Sequence, residues 1–199
     1  YSKEKKQTGS VGMRLSHKLT GLKRGNIQFD ADLGAVLQYK HLDYQRNEQS
    51  YDIDRHAYSF RPTLTMEYRS NGKHKWSPEL RLNYTGKHQL PNLLNMLQIE
   101  DNADPLSLFR GNASLQGEYA HRLALRYGMS QRKTRHNMYI SLQYTRTHNN
   151  IVASSIYNAE NGGRIYEMVN TNRTHATNGD IGYGMPLDKR QDFYITFSV

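Results

Sequence analysis

The sequence predicts an all-β fold: an antiparallel, up-and-down sheet of about eight long strands. Three observations predict it. Apolar residues recur at every second position over most of the 199 residues, the period of a strand with one apolar face. The strands so marked reach about the nine to eleven residues that cross a bilayer when tilted, beyond the five or six usual in soluble sheets. The connections alternate short and long, the rhythm of a membrane barrel with tight turns at one rim and long loops at the other.

Taken in order, Val11, Met13, Leu15, His17 and Leu19 mark the first strand. Ile27, Phe29, Ala31, Leu33, Ala35, Leu37 and Tyr39 mark the second, with Gln28, Asp30, Asp32 and Gln38 between them. Tyr58, Phe60, Pro62, Leu64, Met66 and Tyr68 mark the third, and Pro62, which deletes a ladder donor, predicts a local bulge there. Trp76, Pro78, Leu80, Leu82 and Tyr84 mark the fourth. LPNLLNMLQI (90–99) predicts a structured loop with a helical turn or two. EYAHRLALRYGM (118–129) is the fifth strand, with Tyr119, His121, Leu123, Leu125, Tyr127 and Met129 opposite Arg122 and Arg126. Met138, Ile140, Leu142 and Tyr144 mark the sixth. A weaker seventh spans roughly 164–186 through Ile181, Tyr183 and Met185, and Phe193, Ile195, Phe197 and Val199 mark the eighth. Short turns fall at 23–26, 70–74, 130–136 and 186–191, and long loops at 45–56, 86–116 and 150–163.

Composition narrows the class. Mean hydropathy is −0.87 and only 36% of residues are hydrophobic, too few for a large dry core, while the 15 tyrosines are unlike a disordered chain. No run of apolar residues is long enough for a transmembrane helix. The chain opens on YSKEKKQTGS, with neither an initiator Met nor an apolar leader. With no cysteine, thiolate metal sites and disulfides are excluded. The +9 charge gathers in the short turns, at one rim, rather than in a nucleic-acid patch. Aromatic residues near strand ends, such as Tyr68, Trp76, Tyr84 and Tyr127, fit interfacial girdles. An antiparallel up-and-down transmembrane β-barrel segment therefore accounts for one wet and one apolar face. A soluble basic β-sheet module for acidic ligands is the rival; it predicts aromatics interleaved with basic residues, whereas here they share the aliphatic face.

Residues 86–128 carry a resemblance. The loop Asp101-Asn102-Ala103-Asp104-Pro105-Leu106 and the later Gly111, Asn112, Leu115, Glu118 and Tyr119 resemble Bacteroidetes outer-membrane barrel proteins of the TonB-dependent receptor type. The flanks YSFRPTLTMEY (58–68) and VNTNRTHATNGDIGYGM (169–185) are similar to neighbouring segments of that family, so the likeness covers roughly 55–199. Ala113 and Gly117 depart from it where proline is usual, and Asn172 where glycine is. The resemblance implies a larger barrel of about twenty-two strands with a plug, nutrient uptake driven through TonB, and a surface lipoprotein as a further partner. On that basis residues 1–199 form part of one outer-membrane barrel domain. Short turns at the periplasmic rim place both termini at the outer rim, as expected of the middle of a longer polypeptide. A structural or adhesive barrel without transport is the remaining alternative.

Catalytic signals are lacking: there is no HExxH, P-loop, GxSxG or GxGxxG, and neither an enzyme activity nor a cofactor is expected. Glu118 and His121, three apart, fall on opposite strand faces and make no metal pair. Glu100, Asp101, Asn102 and Asp104 form an oxygen-rich loop in which turn formation outweighs calcium binding, since the glycine of a calcium loop is missing. Asp101, Asn102, Asp104, Arg110 and Asn112 are the candidate ligand-binding residues of an outer loop. Arg61, Glu67, Glu79, Arg81, Arg122 and Arg126 are expected to face the lumen, where they keep it wet and hold strand register. Partners are the lipid of the outer membrane and, through the resemblance, the TonB system; nucleic acid is not among them.

Overall fold

The computed structural model describes residues 1–199 except 47–48, 74, 99, 102–106, 160–161 and 173, with backbone alone at 100–101. Twelve strands are described: β1 (Ser2–Leu19), β2 (Gly25–Arg46), β3 (Gln49–Ser70), β4 (Ser77–Gln89), β5 (Glu100–Asp101), β6 (Ser107–Arg110), β7 (Glu118–Ser130), β8 (Asn137–His148), β9 (Asn150–Tyr157), β10 (Arg164–Thr171), β11 (Thr174–Pro186) and β12 (Tyr194–Ser198). Eight form an antiparallel wall in the order β1-β2-β3-β4-β7-β8-β11-β12, and β5-β6-β10-β9 form a second, four-stranded sheet. The wall is an open sheet of sequential neighbours, as the alternating pattern predicts.

Register sorts the two faces. Phe29, Met66, Leu82, Leu125 and Leu142 lie directly opposite one another across five strands. One residue along, Gln28, Glu67, Arg81, Arg126, Ser141 and Asp180 form a polar row. Because successive strand residues point to opposite sides, the whole wall is apolar on one face and polar on the other. The apolar face is uncovered: Phe29, Leu64, Leu123, Leu142, Ile181 and Phe197 are all exposed.

Three expectations are corrected. Residues 45–56 are strand rather than long loop, apart from 47–48, which lie outside the described residues: β2 and β3 continue to Arg46 and from Gln49, still in register at Arg46↔Gln49. The region 164–186 is two strands in different sheets, β10 and β11, not one. No bulge occurs at Pro62, which pairs with Leu33 in unbroken register. The described β3–β4 pairing instead stops at Thr63↔Thr85, one residue short of the proline. Beyond that point the Tyr119 hydroxyl reaches over Gly86 and donates to the Phe60 carbonyl at 2.7 Å, standing in for the lost ladder.

The buried core lies at the loop end. Leu42, Leu93, Met96, Leu97 and Leu115 form it, packed against Tyr44, Tyr51, Ile53, Ile151 and Met168. Leu42 and Tyr44 share a strand face with Asp30 and Asp32, so the loop after β4 folds onto the polar side of the β2–β3 extension. Within that loop the expected helical element is a single 3₁₀ turn, Leu93–Met96, with the Asn92 side chain accepting from the Leu94 N–H. The Lys40 ammonium donates to the Pro91 carbonyl at 2.9 Å and the Leu90 carbonyl at 3.4 Å, and Arg55 donates to the Ala113 carbonyl at 2.8 Å. Wall cations thus satisfy loop carbonyls that no strand pairs.

Candidate functional site

The loop from 90 to 117 and the strands β9 and β10 meet beside the tip of β2. β6 pairs with β10 in parallel, Leu108↔Ile165 and Phe109↔Tyr166, which joins two loops more than fifty residues apart. Asn112 locks the junction. Its amide donates to the Met168 carbonyl at 2.9 Å, and its side-chain oxygen accepts from the Ser114 N–H at 2.9 Å. Gly111 is required here, because a Cβ at that position would overlap the Leu97 backbone carbonyl.

Between these pieces lies a cavity of about 360 Å³, within the size range of small-molecule sites. Leu94, Leu97, Phe109, Ala153, Tyr166 and Met168 supply its apolar wall, and Tyr44 lines it from β2. The Phe109 and Tyr166 rings stack at 5.2 Å. At its margin Arg110 donates to Glu167 through both Nη2, at 3.0 Å, and Nε, at 3.3 Å. The same pair lines a second, more polar depression with Asn112 and Ser114. An aromatic slot next to a half-exposed ion pair can hold an apolar group and exchange the Arg110–Glu167 contact for one to the ligand.

Of the sequence-predicted loop residues, Arg110 lines this cavity, and Asn112 lines the polar depression while its side chain is taken up in the junction. Asp101 contributes backbone pairing to Phe109. Asn102 and Asp104 lie outside the described residues. The six wall residues lie elsewhere, on the polar face. Glu67 pairs with Arg81 and Arg69, each at 3.3 Å, beside Glu79 and Arg126 in a depression of about 200 Å³. Arg126 also covers the Tyr139 ring at 5.5 Å, and Arg122 donates to Gln143. Among the described residues Arg61 has no ion-pair partner. Sequence reading missed Phe109, Tyr166, Glu167 and Met168; the alternation in RIYEMVNT (164–171) marks a strand but not its parallel partner.

A described cluster of His41, Asp52 and Asp54 lies on the other face of the β2–β3 extension. The Tyr39 hydroxyl donates to Asp54 at 2.7 Å and His41 Nδ1 lies 3.0 Å from the same oxygen. These hydrogen bonds, Tyr39 first and His41 second, hold the Asp54 carboxyl below its usual pKa.

The sequence profile of the outer membrane protein beta-barrel family matches residues 21–199. This chain belongs to that family. Membership in the outer membrane protein beta-barrel family explains the uncovered apolar face and places the chain in the outer membrane. Among solved structures it is similar to the Serratia marcescens hemophore receptor HasR, a double mutant in complex with its hemophore HasA and heme. That likeness has a TM-score of 0.51 at 13% identity and covers 92% of this chain and 40% of that one. The siderophore receptor PirA from Pseudomonas aeruginosa follows at TM-score 0.47 and 13% identity, covering 100% of this chain and 44% of that one. The chain thus spans about two fifths of the length of these receptors. No curated protein matches it significantly.

Proposed function

We propose that these strands are wall and outer loops of a TonB-dependent-receptor-type protein that captures a nutrient in the loop layer. The observation that carries this reading is the cavity itself. Loops that only joined strands would need no buried core, yet these bury Leu93, Met96 and Leu97 and flank an open cavity of about 360 Å³. The loop end faces the exterior, as short turns face the periplasm in this architecture. A solute enters the aromatic slot beside Arg110 and Glu167 and passes to the polar face of the wall, where Arg61, Arg122 and Arg126 present donors. Passage is driven by TonB through a plug, and a surface lipoprotein assists capture; both belong to the family resemblance.

The test uses the full-length polypeptide in its own cells. Its band is expected in the outer-membrane fraction and shifts on boiling before electrophoresis. Cells lacking it are expected to lose growth on at least one limiting nutrient. A Phe109→Ala/Tyr166→Ala double variant should reproduce that loss while the heat-shifted band persists. An intact band with no growth defect in any limiting medium would leave a structural or adhesive barrel.

A further inference from the structure

We propose that the lipid-facing surface of β7, β8 and β11 carries a binding site for the phosphate of an outer-leaflet lipid headgroup, built from His121, Arg146, His148 and His175. Register places the first, second and fourth in one row across three adjacent strands, His121↔Arg146 and Arg146↔His175. His148, opposite Tyr119, lies one position higher on the same face. Its ring meets that of His121 edge-on at 5.4 Å. The Tyr84 hydroxyl, 2.8 Å from His121 Nδ1, fixes the orientation of that ring.

The cluster has no carboxylate to answer it. The positions sharing its face on β4, β7, β8, β11 and β12 are odd or even runs of Pro, Leu, Tyr, Gly, His, Met, Ile, Thr, Phe, Val and this one Arg, with no Asp or Glu among them. Arg146 is exposed and has no ion-pair or hydrogen-bond partner among the described residues. Arg146 is the fixed charge and the imidazoles beside it offer N–H donors, so the arrangement is answered by an anion that accepts from both. A permanently charged guanidinium on the middle strand, between His121 and His175, also argues against a metal cation on the three imidazoles.

Depth identifies the source of the anion. Leu123 and Tyr144 are the last apolar pair on these strands, and His121 and Arg146 come two residues later. At about 3.3 Å per residue, less the tilt, the cluster stands about 5 Å beyond the hydrocarbon edge. The headgroup layer occupies about 5–7 Å on each side. Level with this row, β4 and β3 carry the neighbouring Gly86 and Pro62, and Pro62 pairs with Leu33 of β2 and through it with Met13 of β1, none of them charged; Asp43, Asp52 and Asp54 stand higher, towards the β2–β3 tip. The uncompensated cationic patch is therefore local to β7, β8 and β11. The choice of leaflet rests on the orientation proposed above; the site itself does not depend on nutrient uptake.

The experiment is native mass spectrometry of the full-length protein in zwitterionic detergent. A bisphosphorylated glucosamine lipid is added and, separately, the same lipid without phosphates. The wild type is expected to retain the phosphorylated form about tenfold better, the effect of one or two charge-assisted hydrogen bonds. Arg146→Gln and His175→Glu should each lower that retention about tenfold, Arg146→Lys should preserve it, and Lys5→Gln should leave it unchanged. Equal retention of both lipids would overturn the proposal, as would retention indifferent to Arg146→Gln and His175→Glu. Displacement by millimolar inorganic phosphate would make it a free-anion site and overturn the lipid assignment. Each variant is read only where its heat shift on gels is intact. Because the readout is lipid retention, a protein that transports nothing still gives a decisive result.

Discussion

Asn112 shows how a residue legible as polar and functional in the sequence can instead be structural. Its side chain ties the loop after β4 to β10 through the Met168 carbonyl, and turns the chain at Ser114. Asn112→Ala removes both contacts and leaves a half-buried carbonyl unanswered, a cost of about 1–3 kcal/mol. The expected result is faster backbone hydrogen exchange over Arg164–Thr171, with exchange in β2 unchanged. Asp54 gives a prediction of a different kind. Its folded pKa is depressed by Tyr39 and His41, so its contribution is fully present above the unfolded carboxylate value of about 3.9 and is lost as pH falls through the lower folded value. Protection at the β2–β3 tip should therefore exceed that of Asp54→Asn at pH 5 and converge with it in strong acid. A difference that persisted unchanged into strong acid would remove the carboxylate from the account. Arg110, by contrast, was legible as a ligand candidate from its place in an outer loop; Glu167, which pairs with it, comes from another loop 57 residues on.

Among the elements, the β2–β3 hairpin is the one whose length means most. Each strand has 22 residues, about twice what a tilted bilayer crossing needs. The apolar alternation covers only the lower part. Above it, water lies on one face and the loop layer on the other, so the alternation becomes polar outside and mixed inside, and 45–56 reads as loop. The wall strands were legible because lipid on one side and water on the other impose a strict period of two. The small sheet was not, because its pairings are set by contacts between distant loops rather than by local pattern. The pillar also anchors the loop core through Leu42, which is 1% exposed. Leu42→Ala should cost the loop layer about 2–5 kcal/mol. Limited proteolysis within 90–117 is then expected to accelerate while the heat-shifted band remains, since the wall does not depend on that core. Loss of both together would mean that wall and loop layer form one cooperative unit.

At the scale of the whole molecule, burial separates a membrane wall from a soluble sheet more cleanly than periodicity does. All described buried apolar side chains except Val36 and Pro62 belong to the loop layer or to its contact with β2. The wall strands keep Leu15, Phe29, Leu64, Leu123, Leu142, Ile181 and Phe197 exposed, and their opposite face carries charge rather than a second apolar layer. A soluble sheet of this size would have to bury one of its faces, and none of these residues is buried; lipid is the solvent that makes the arrangement stable. β1 and β12 are moreover open edges of the described wall, each paired on one side only. An apolar face bounded by two unpaired edges is a template for association. Residues 1–199 expressed alone should therefore sediment as aggregate in aqueous buffer and remain dispersed in detergent, with strand content retained by circular dichroism. A monodisperse species in plain buffer would mean that the exposed apolar face is covered by the chain itself, and the case for lipid as its natural partner would fall with it.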